Sequence, residues 1–416
     1  MNFKTISRNV GMALLVDALF MLISVFVSLF CGRDGGLYPL AISFVLTFSA
    51  GIFPFIFVRK TSRISLREGY LIVVISWLLS FIFGMLPYVL YGEPFSLEDA
   101  WFESVSGFTA TGATILSDVE SLPDSLLFWR SSTHFIGGLG VVVFLLLIIP
   151  DSSPIRMRLT NLELSSLSKD GYNSRANRTV FIFAYVYLAI MVVAALSYRM
   201  AGMSLFDAVN HAFSVCATGG FSTKNLSIAA FDSRLIEGLT MVFMLLSSIH
   251  FGLIYLVFVT RSFKPLGNPV LRFYLSMLAM VSVIVALHLK VTGAEASLSH
   301  ALWCGMFQTI STASTTGFAV TDNSVWPMFA NVAVMFATIT CGCAGSTTGG
   351  LKCDRVMMMF KAIAVRIRYT INPSLIHSVK LGNRYIRDDE VGIHVIYIAL
   401  FIFVMCVSVA LSLLTG

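Results

Sequence analysis

Long apolar runs are the feature that most limits how this chain can fold. Several runs reach about 18 residues or more, the length that an α-helix needs to cross about 30 Å of hydrocarbon. They are too long for the strands of a membrane barrel, and a helix satisfies its backbone hydrogen bonds within lipid. Only 12% of the residues are charged, about half the fraction of a soluble domain. The sequence therefore predicts an all-α polytopic membrane protein.

The apolar runs predict nine membrane crossings. The first, near residues 10–31, contains Asp17 and is longer than the core of a signal peptide, so we expect it to be retained as a helix. Another long run, near 326–365, is interrupted by a Gly-rich segment at 342–350. The other predicted spans are 38–58, 70–91, 127–149, 179–201, 236–260, 271–290 and 391–415.

Lysine and arginine residues concentrate on one side of these spans. That side contains the N-terminus and the segments near 59–69, 150–178, 261–272 and 352–390, with most of the 28 basic residues. Because basic loops stay in the cytoplasm, we expect a cytoplasmic N-terminus. The net charge of +6 then reflects topology rather than nucleic-acid binding. The opposite side is acidic and would attract cations.

Three segments that each lie between two predicted spans share a Thr-Gly pattern. Residues 106–114 read SGFTATGAT, residues 214–222 read SVCATGGFS and residues 311–319 read STASTTGFA. A short half-apolar stretch precedes each, so the repeated unit is helix, half-helix, Thr-Gly loop and helix. Polar turns between helices are the less favoured explanation, because irregular backbone at membrane depth is tolerated mainly where it lines a cavity.

Loops of this kind suit the coordination of a dehydrated cation. Backbone carbonyls from several loops can replace the water oxygens that a cation loses on entering a membrane, as in potassium-channel filters. Glycine permits the backbone angles that point carbonyls inward, and threonine adds a hydroxyl on a stiff side chain. The C-termini of the half-helices would place negative dipole ends near the ion. The three loops therefore predict an ion pathway.

The chain resembles the TrkH/KtrB/HKT superfamily of potassium transporters, and its TrkH members most closely. The resemblance rests on the three Thr-Gly segments, on GCAGSTTGGLK at Gly342–Lys352, on KLGNR at Lys380–Arg384 and on GGLG at Gly137–Gly140. It implies uptake of K+ across the bacterial cytoplasmic (inner) membrane through pseudo-fourfold M1–P–M2 repeats, without enzymatic activity or an organic cofactor. It also implies a homodimer in contact with membrane lipid, and a cytosolic nucleotide-binding regulatory partner of the TrkA type.

The resemblance assigns two sets of site residues. It implies a potassium-binding filter with flanking residues, and a gate loop in the second helix of the third repeat. The filter residues are Thr111, Gly112, Thr218, Gly219, Thr316 and Gly317, and the flanks are Ala110, Ala113, Ala217, Gly220, Thr315 and Phe318. The gate loop comprises Gly342, Gly345, Ser346, Thr347, Thr348, Gly349, Gly350 and Lys352.

The Gly-rich segment could form a phosphate-binding loop, a fourth filter or a break in a spanning helix. A phosphate-binding loop is excluded because the Gly-Lys-Ser/Thr ending and a preceding strand are missing. A fourth filter is excluded by spacing: Gly345 lies 28 residues after Gly317, whereas Gly317 lies 98 after Gly219. A broken spanning helix remains, since each glycine destabilises a helix by about 1 kcal/mol relative to alanine. A gate is favoured over a passive kink, as discontinuous helices often mark ion sites.

The same spacing places a fourth filter glycine near 415–424, so only the first helix of a fourth repeat is expected here. The expected units are two extra N-terminal helices (1–68), three complete repeats (69–160, 161–265 and 266–370) and a fourth repeat truncated after M1 (371–416). A non-conducting or regulatory truncated subunit stays open as an alternative, as does, less favoured, an intramembrane enzyme. The pattern does not separate a symporter from a channel-like protein.

The remaining polar residues have simpler interpretations. Asp17 is expected to pair with a neighbour or with lipid, and Arg130 is expected to snorkel to the outer interface. The seven cysteines are scattered, which favours free thiols over a zinc site. Four histidines without an evident metal-ligand spacing are interpreted as packing or filter-support residues: His134, His211, His250 and His300.

Overall fold

A computed structural model of the chain describes residues 2–58, 65–148, 176–372, 379–381, 384–386 and 388–415. It begins with two long helices, α1 (Phe3–Phe30) and α2 (Leu37–Phe57), which pack along each other. Glycines allow this close approach, since a Cβ added at Gly11 would lie 2.6 Å from the carbonyl oxygen of Gly51. Asp17 is buried on α1 and accepts a 2.7 Å hydrogen bond from Ser80, so the expected pairing with a neighbour is confirmed.

The first repeated unit contains α3 (Leu66–Gly84), α4 (Leu86–Tyr91), the half-helix α5 (Leu97–Phe108) and α6 (Asp124–Ile148). Serine residues start two of these helices. Ser65 and Ser96 each accept from the backbone of an acidic residue three positions later, whose carboxylate accepts from the serine amide in return. Such capping boxes satisfy amides that a helix leaves unpaired at its start.

The second unit contains α7 (Ala176–Met200), the half-helix α8 (Leu205–Ala217), α9 (Arg234–Ser248) and α10 (Phe251–Thr260). The span predicted over 236–260 is broken into two helices. The α9 and α10 axes are bent by 99°, because Ile249 is extended and His250 caps the next helix by accepting from the Gly252 amide at 2.9 Å.

The third unit contains α11 (Pro269–Val291), the half-helix α12 (Leu298–Ala313) and α13 (Met328–Ile339). The chain then leaves the helical path, as the glycines predict. Strand β1 (Thr340–Cys341) pairs in parallel with β2 (Leu351–Lys352), and α14 (Cys353–Ile371) follows directly. The two strands close the base of the segment Gly342–Gly350, which we call the Gly-rich loop.

The last described elements are the antiparallel hairpin of β3 (Val379–Leu381) and β4 (Arg384–Ile386) and the helix α15 (Asp388–Thr415). Among the described residues, six helices are long and apolar enough to cross a membrane, or seven if the bent α9–α10 pair counts as one span. The largest buried hydrophobic cluster extends from Phe128 on α6 to Met358 on α14. Short 3-10 helices occupy Ser227–Phe231, Lys264–Gly267 and Asn323–Val325.

Candidate functional site

Each half-helix ends in a loop that folds back on its last turn. We call residues 109–114 loop 1, residues 218–222 loop 2 and residues 314–319 loop 3. In each loop one amide donates a 2.9 Å hydrogen bond to the carbonyl of a serine in the half-helix, which marks equivalent positions in the three units. The donor and acceptor pairs are Thr111 with Ser106, Gly219 with Ser214, and Thr316 with Ser311.

The residue after each donor has a positive φ. These residues are Gly112 (75°), Gly220 (89°) and Gly317 (82°), a backbone region that glycine adopts without strain. Gly220 therefore occupies in loop 2 the position that Gly112 and Gly317 occupy in loops 1 and 3. The sequence pattern aligned Gly219 with these two glycines, which is one residue too early. Loop 2 contains two glycines, so the Thr-Gly dipeptide alone did not fix its register.

The three loops lie side by side. A Cβ added at Gly112 would overlap the carbonyl oxygen of Gly219, and a Cβ at Gly220 would overlap the carbonyl oxygen of Thr316. A Cβ at Gly317 would meet nothing within 4 Å in the described part of the chain. At Gly112 and Gly220, glycine is therefore required for two reasons: the positive φ, and the close approach of the neighbouring loop.

A buried ion pair supports loop 2 from the first unit. Arg130 on α6 is 2% exposed and donates to the carboxylate of Glu103 on α5, which is fully buried. The guanidinium also donates to the Ser222 carbonyl at 3.2 Å and lies 3.6 Å from the ring centroid of Phe221. The expectation that Arg130 snorkels to the interface is wrong, because a carboxylate and a loop carbonyl satisfy its charge inside the protein.

Two histidines pack against the same loop. His134, one helical turn after Arg130, stacks on Phe221 with 4.0 Å between ring centroids and lies 3.2 Å from the Ser214 hydroxyl. A side chain at Gly219 would overlap the His134 imidazole. His211 on α8 lies 2.9 Å from the Ser222 hydroxyl. These contacts fix loop 2 from both sides, as expected of supporting residues.

The Gly-rich loop is bound to the break between α9 and α10. The Cys343 amide donates to the Ser248 carbonyl at 2.9 Å, and the Phe251 amide donates to the Gly345 carbonyl at 3.0 Å. The Thr347 hydroxyl lies 3.2 Å from the Ser247 carbonyl. Each irregular segment therefore satisfies the backbone groups of the other, which an apolar environment requires. The only local sequence signal of this break is the serine pair before Ile249.

The same loop contacts loop 3 and the half-helix that precedes loop 2. The Gly349 amide donates to the Thr315 hydroxyl at 3.1 Å, and the Thr347 hydroxyl donates to the Cys216 carbonyl at 3.0 Å. Directly after the Gly-rich loop, Lys352 in β2 donates from Nζ to the carbonyl of Thr348 and lies 3.2 Å from its hydroxyl. The ammonium group thus ties β2 to the last part of the loop.

A cavity of about 560 Å³ lies between the Thr-Gly loops and the Gly-rich loop. Its polar lining combines hydroxyls and backbone of both sets of loops, with one ammonium and one guanidinium group. The predicted site residues that line it are Ala110, Thr111, Thr218, Thr315, Ser346, Thr347, Thr348, Gly349, Gly350 and Lys352.

The sequence model of the TrkH family, described as cation transport proteins, matches residues 40–415. The chain belongs to this family. The Trk system potassium uptake protein TrkH of Vibrio parahaemolyticus is 33% identical over 388 residues, which cover 92% of this chain and 80% of that protein. The protein of the same name from Escherichia coli K12 is 32% identical over 420 residues, covering 100% and 87%.

A solved structure agrees with the family assignment. The crystal structure of the potassium transporter TrkH from Vibrio parahaemolyticus matches this chain with a TM-score of 0.86 and 30% sequence identity. The match covers 98% of this chain and 85% of that one. The expected resemblance to TrkH is confirmed, and the family is one of transporters rather than enzymes.

Other expected site residues of this TrkH-family chain lie around the cavity rather than in its lining. Gly112, Gly219 and Gly220 form the contacts between loops, and Thr316 is buried beneath them. Phe318 packs against His211 at 5.6 Å. The remaining predicted residues, Ala113, Ala217, Gly317, Gly342 and Gly345, also lie outside the lining.

Several lining residues were not predicted as site residues. Gly137 and Gly138 belong to the GGLG motif, and their role is steric: a Cβ at Gly137 would overlap the Phe108 carbonyl, and one at Gly138 would lie 2.9 Å from Ala217 Cα. They let α6 touch the ends of both α5 and α8. The other unpredicted lining residues are Trp77, Phe108, Thr109, Arg355 and Tyr397. Arg355 lies 3.8 Å above the Tyr397 ring, which fixes a cation at the cavity wall.

Proposed function

We propose that this chain carries K+ across the bacterial cytoplasmic membrane through the three Thr-Gly loops, and that the Gly-rich loop gates the passage. The names of its relatives, potassium uptake proteins of the Trk system, support the ion and the direction. The arrangement of both sets of loops around one cavity carries the mechanistic part of the proposal.

The Thr-Gly loops fit a site where K+ exchanges water for protein oxygens. They meet at the C-terminal ends of three half-helices, where unpaired carbonyls and the negative ends of the helix dipoles concentrate. The contacts of Gly112 and Gly220 keep the loops close enough to share one ion. Arg130 and His134 hold Phe221 and the backbone beside it in loop 2.

The Gly-rich loop fits a gate because it lines the cavity together with the Thr-Gly loops, and its hydrogen bonds to the rest of the protein would have to break for the cavity to open. Two of them reach the Thr-Gly units, from Gly349 and from Thr347. Its glycines at 345 and 350 have positive φ, so the loop can change conformation without unwinding a stable helix. Moving it away would open the cavity on the side opposite the Thr-Gly loops, and Lys352 would move with it.

The proposal includes an orientation and partners. The distribution of basic residues supports a cytoplasmic N-terminus and a cytoplasmic α14, where a nucleotide-binding subunit of the TrkA type would act on the Gly-rich loop through α14. The chain would work as a homodimer in lipid. The half-helices would then begin at the outer face, beside the acidic loops that attract cations.

Uptake of rubidium tracer by bacteria that lack their own potassium uptake systems tests the function. The chain should restore uptake, and Gly220→Ala should abolish it, because the new methyl overlaps the Thr316 carbonyl. Gly32→Ala is the matched control: Gly32 has φ 86°, close to the 89° of Gly220, but nothing lies within 4 Å of its Cβ position. Full uptake in Gly220→Ala, at equal amounts of protein in the membrane, would refute the filter assignment.

A further inference from the structure

A cluster of three metal-binding side chains lies away from the cavity, where α11 connects to α12. Glu295 is in the connection, and His300 and Cys304 lie one helical turn apart on α12. The His300 Nδ1 is 2.8 Å from the Glu295 carboxylate. The Cys304 Sγ is 3.7 Å from Nε2 and 3.8 Å from Nδ1 of the same imidazole. Each residue offers one atom that could ligate a metal, and these three atoms all lie within 4.8 Å of one another.

We propose that Glu295, His300 and Cys304 bind one divalent cation of borderline softness, such as Zn2+. Imidazole nitrogen, thiolate sulfur and carboxylate oxygen are the three protein ligands that zinc prefers. Tetrahedral zinc holds a sulfur and a nitrogen ligand about 3.5 Å apart, and a nitrogen and an oxygen ligand about 3.3 Å apart. Through His300 Nδ1, the distance to the Glu295 carboxylate is about 0.5 Å shorter and the distance to Cys304 Sγ about 0.3 Å longer than these values, and all three ligand atoms lie within 4.8 Å of one another. Binding an ion would therefore require side-chain adjustments within this cluster.

The surroundings favour an open site with three protein ligands. The Cys304 side chain is buried, while the His300 side chain is 44% exposed and that of Glu295 is 20% exposed. Solvent can therefore supply a fourth ligand from the His300 side. The connection is also held in place, because the Glu295 amide donates to the Leu289 carbonyl at 3.2 Å.

The nearest other charged groups do not compete for the cation. Arg234 lies 3.0 Å from the Glu237 carboxylate, which also accepts from the Trp303 indole. The Glu237 carboxylate is thus occupied, and the guanidinium charge is compensated. Lys290 donates to the Ala296 carbonyl at 2.5 Å, which directs its ammonium group at the backbone.

The 44% exposure of the His300 side chain argues against its interpretation as a packing residue. The relevant sequence signal was the four-residue spacing of His300 and Cys304, which places both side chains on one face of a helix. Glu295 completes the set only because the connection folds back over the start of α12. The half-helix α12 carries loop 3. Ser311, whose carbonyl accepts from that loop, lies about 10 Å beyond Cys304 along the helix. A bound ion would fix the α11–α12 connection to this half-helix.

Titration of the purified protein in detergent with Co2+ tests the site, because a cobalt–thiolate bond gives a near-ultraviolet charge-transfer band. One equivalent of Co2+ should produce the band. Added Zn2+ should displace the bound Co2+ and so remove the band. Cys304→Ser should remove the band, while Cys31→Ser, a control at an exposed thiol, should retain it. His300→Gln and Glu295→Gln should each weaken apparent affinity at least about tenfold.

Loss of the band in Cys304→Ser could result from misfolding, because Cys304 is buried. His300→Gln changes an exposed side chain, so weaker binding by this variant would not result from misfolding. Absence of the band in the unaltered protein would overturn the proposal. So would its persistence in Cys304→Ser or its loss in Cys31→Ser. Binding is measured without transport, so the result stands apart from the proposed function.

Discussion

Glu103→Gln should destabilise the protein far more than an ordinary surface change. Glu103 is fully buried and is the only carboxylate paired with the Arg130 guanidinium among the described residues. The amide of glutamine fills the same volume but leaves a buried positive charge without its counter-ion. Breaking a buried pair in this way costs about 3–5 kcal/mol. The Phe221 ring and the Ser222 carbonyl already contact the guanidinium, so they add no compensation.

The matched control is Glu120→Gln. Glu120 pairs with Lys224 at 3.7 Å, and both side chains are more than a third exposed, so this change should cost less than about 1 kcal/mol. Tryptophan fluorescence during unfolding in detergent provides the assay, since the buried Trp129 precedes Arg130 in the chain.

A double-mutant cycle separates charge from packing. Arg130→Met alone leaves Glu103 as the uncompensated charge, whereas the double variant Glu103→Gln/Arg130→Met contains no charge at the site. The double variant should therefore be more stable than the sum of the single effects predicts, by about 3 kcal/mol. Additive effects, or a Glu103→Gln variant as stable as Glu120→Gln, would refute the role of this ion pair in holding loop 2.

Three further predictions concern other parts of the chain. Gly317→Ala should reduce rubidium uptake less than Gly220→Ala, because its methyl meets open space and only a backbone strain of about 1–2 kcal/mol remains; equal losses would contradict this. Thr347→Val should raise rubidium leak from loaded liposomes, since it removes the hydrogen bond to the Cys216 carbonyl; an unchanged leak would argue against the gate. Ser80→Ala should lower the melting temperature more than Asp17→Asn, because it leaves a buried carboxyl without the Ser80 donor; the reverse order would refute the pairing.

The sequence predicted those features that depend on local composition. Apolar length identified six of the nine predicted crossings as single helices long enough to cross a membrane, among the described residues, and four glycines in one segment predicted the interruption after α13. The Thr-Gly repeats located the loops, because residue type and position between spans are both visible in a linear pattern. The similarity of the chain to TrkH proteins in sequence and in structure confirms the family.

Features that depend on contacts between distant segments could not be predicted in this way. The bend between α9 and α10 is stabilised by carbonyls that accept from the Gly-rich loop about 100 residues later. The pairing of Arg130 with Glu103 could not be predicted, because only the fold brings α5 and α6 together. The position of loop 2 relative to loops 1 and 3 is defined by the hydrogen bond from the Gly219 amide to the Ser214 carbonyl, which the sequence does not reveal.

The central claim, that K+ passes through the cavity between the Thr-Gly loops and the Gly-rich loop, can be tested at Thr315, which lines that cavity. Purified Thr315→Cys would be treated with a quaternary-ammonium thiol reagent, checked for modification by mass, and reconstituted into liposomes for rubidium flux. Ser297→Cys, in an exposed connection, and the unaltered protein provide the controls. We predict that modification blocks flux through Thr315→Cys and leaves both controls active. Full flux through the modified Thr315→Cys protein would contradict the account.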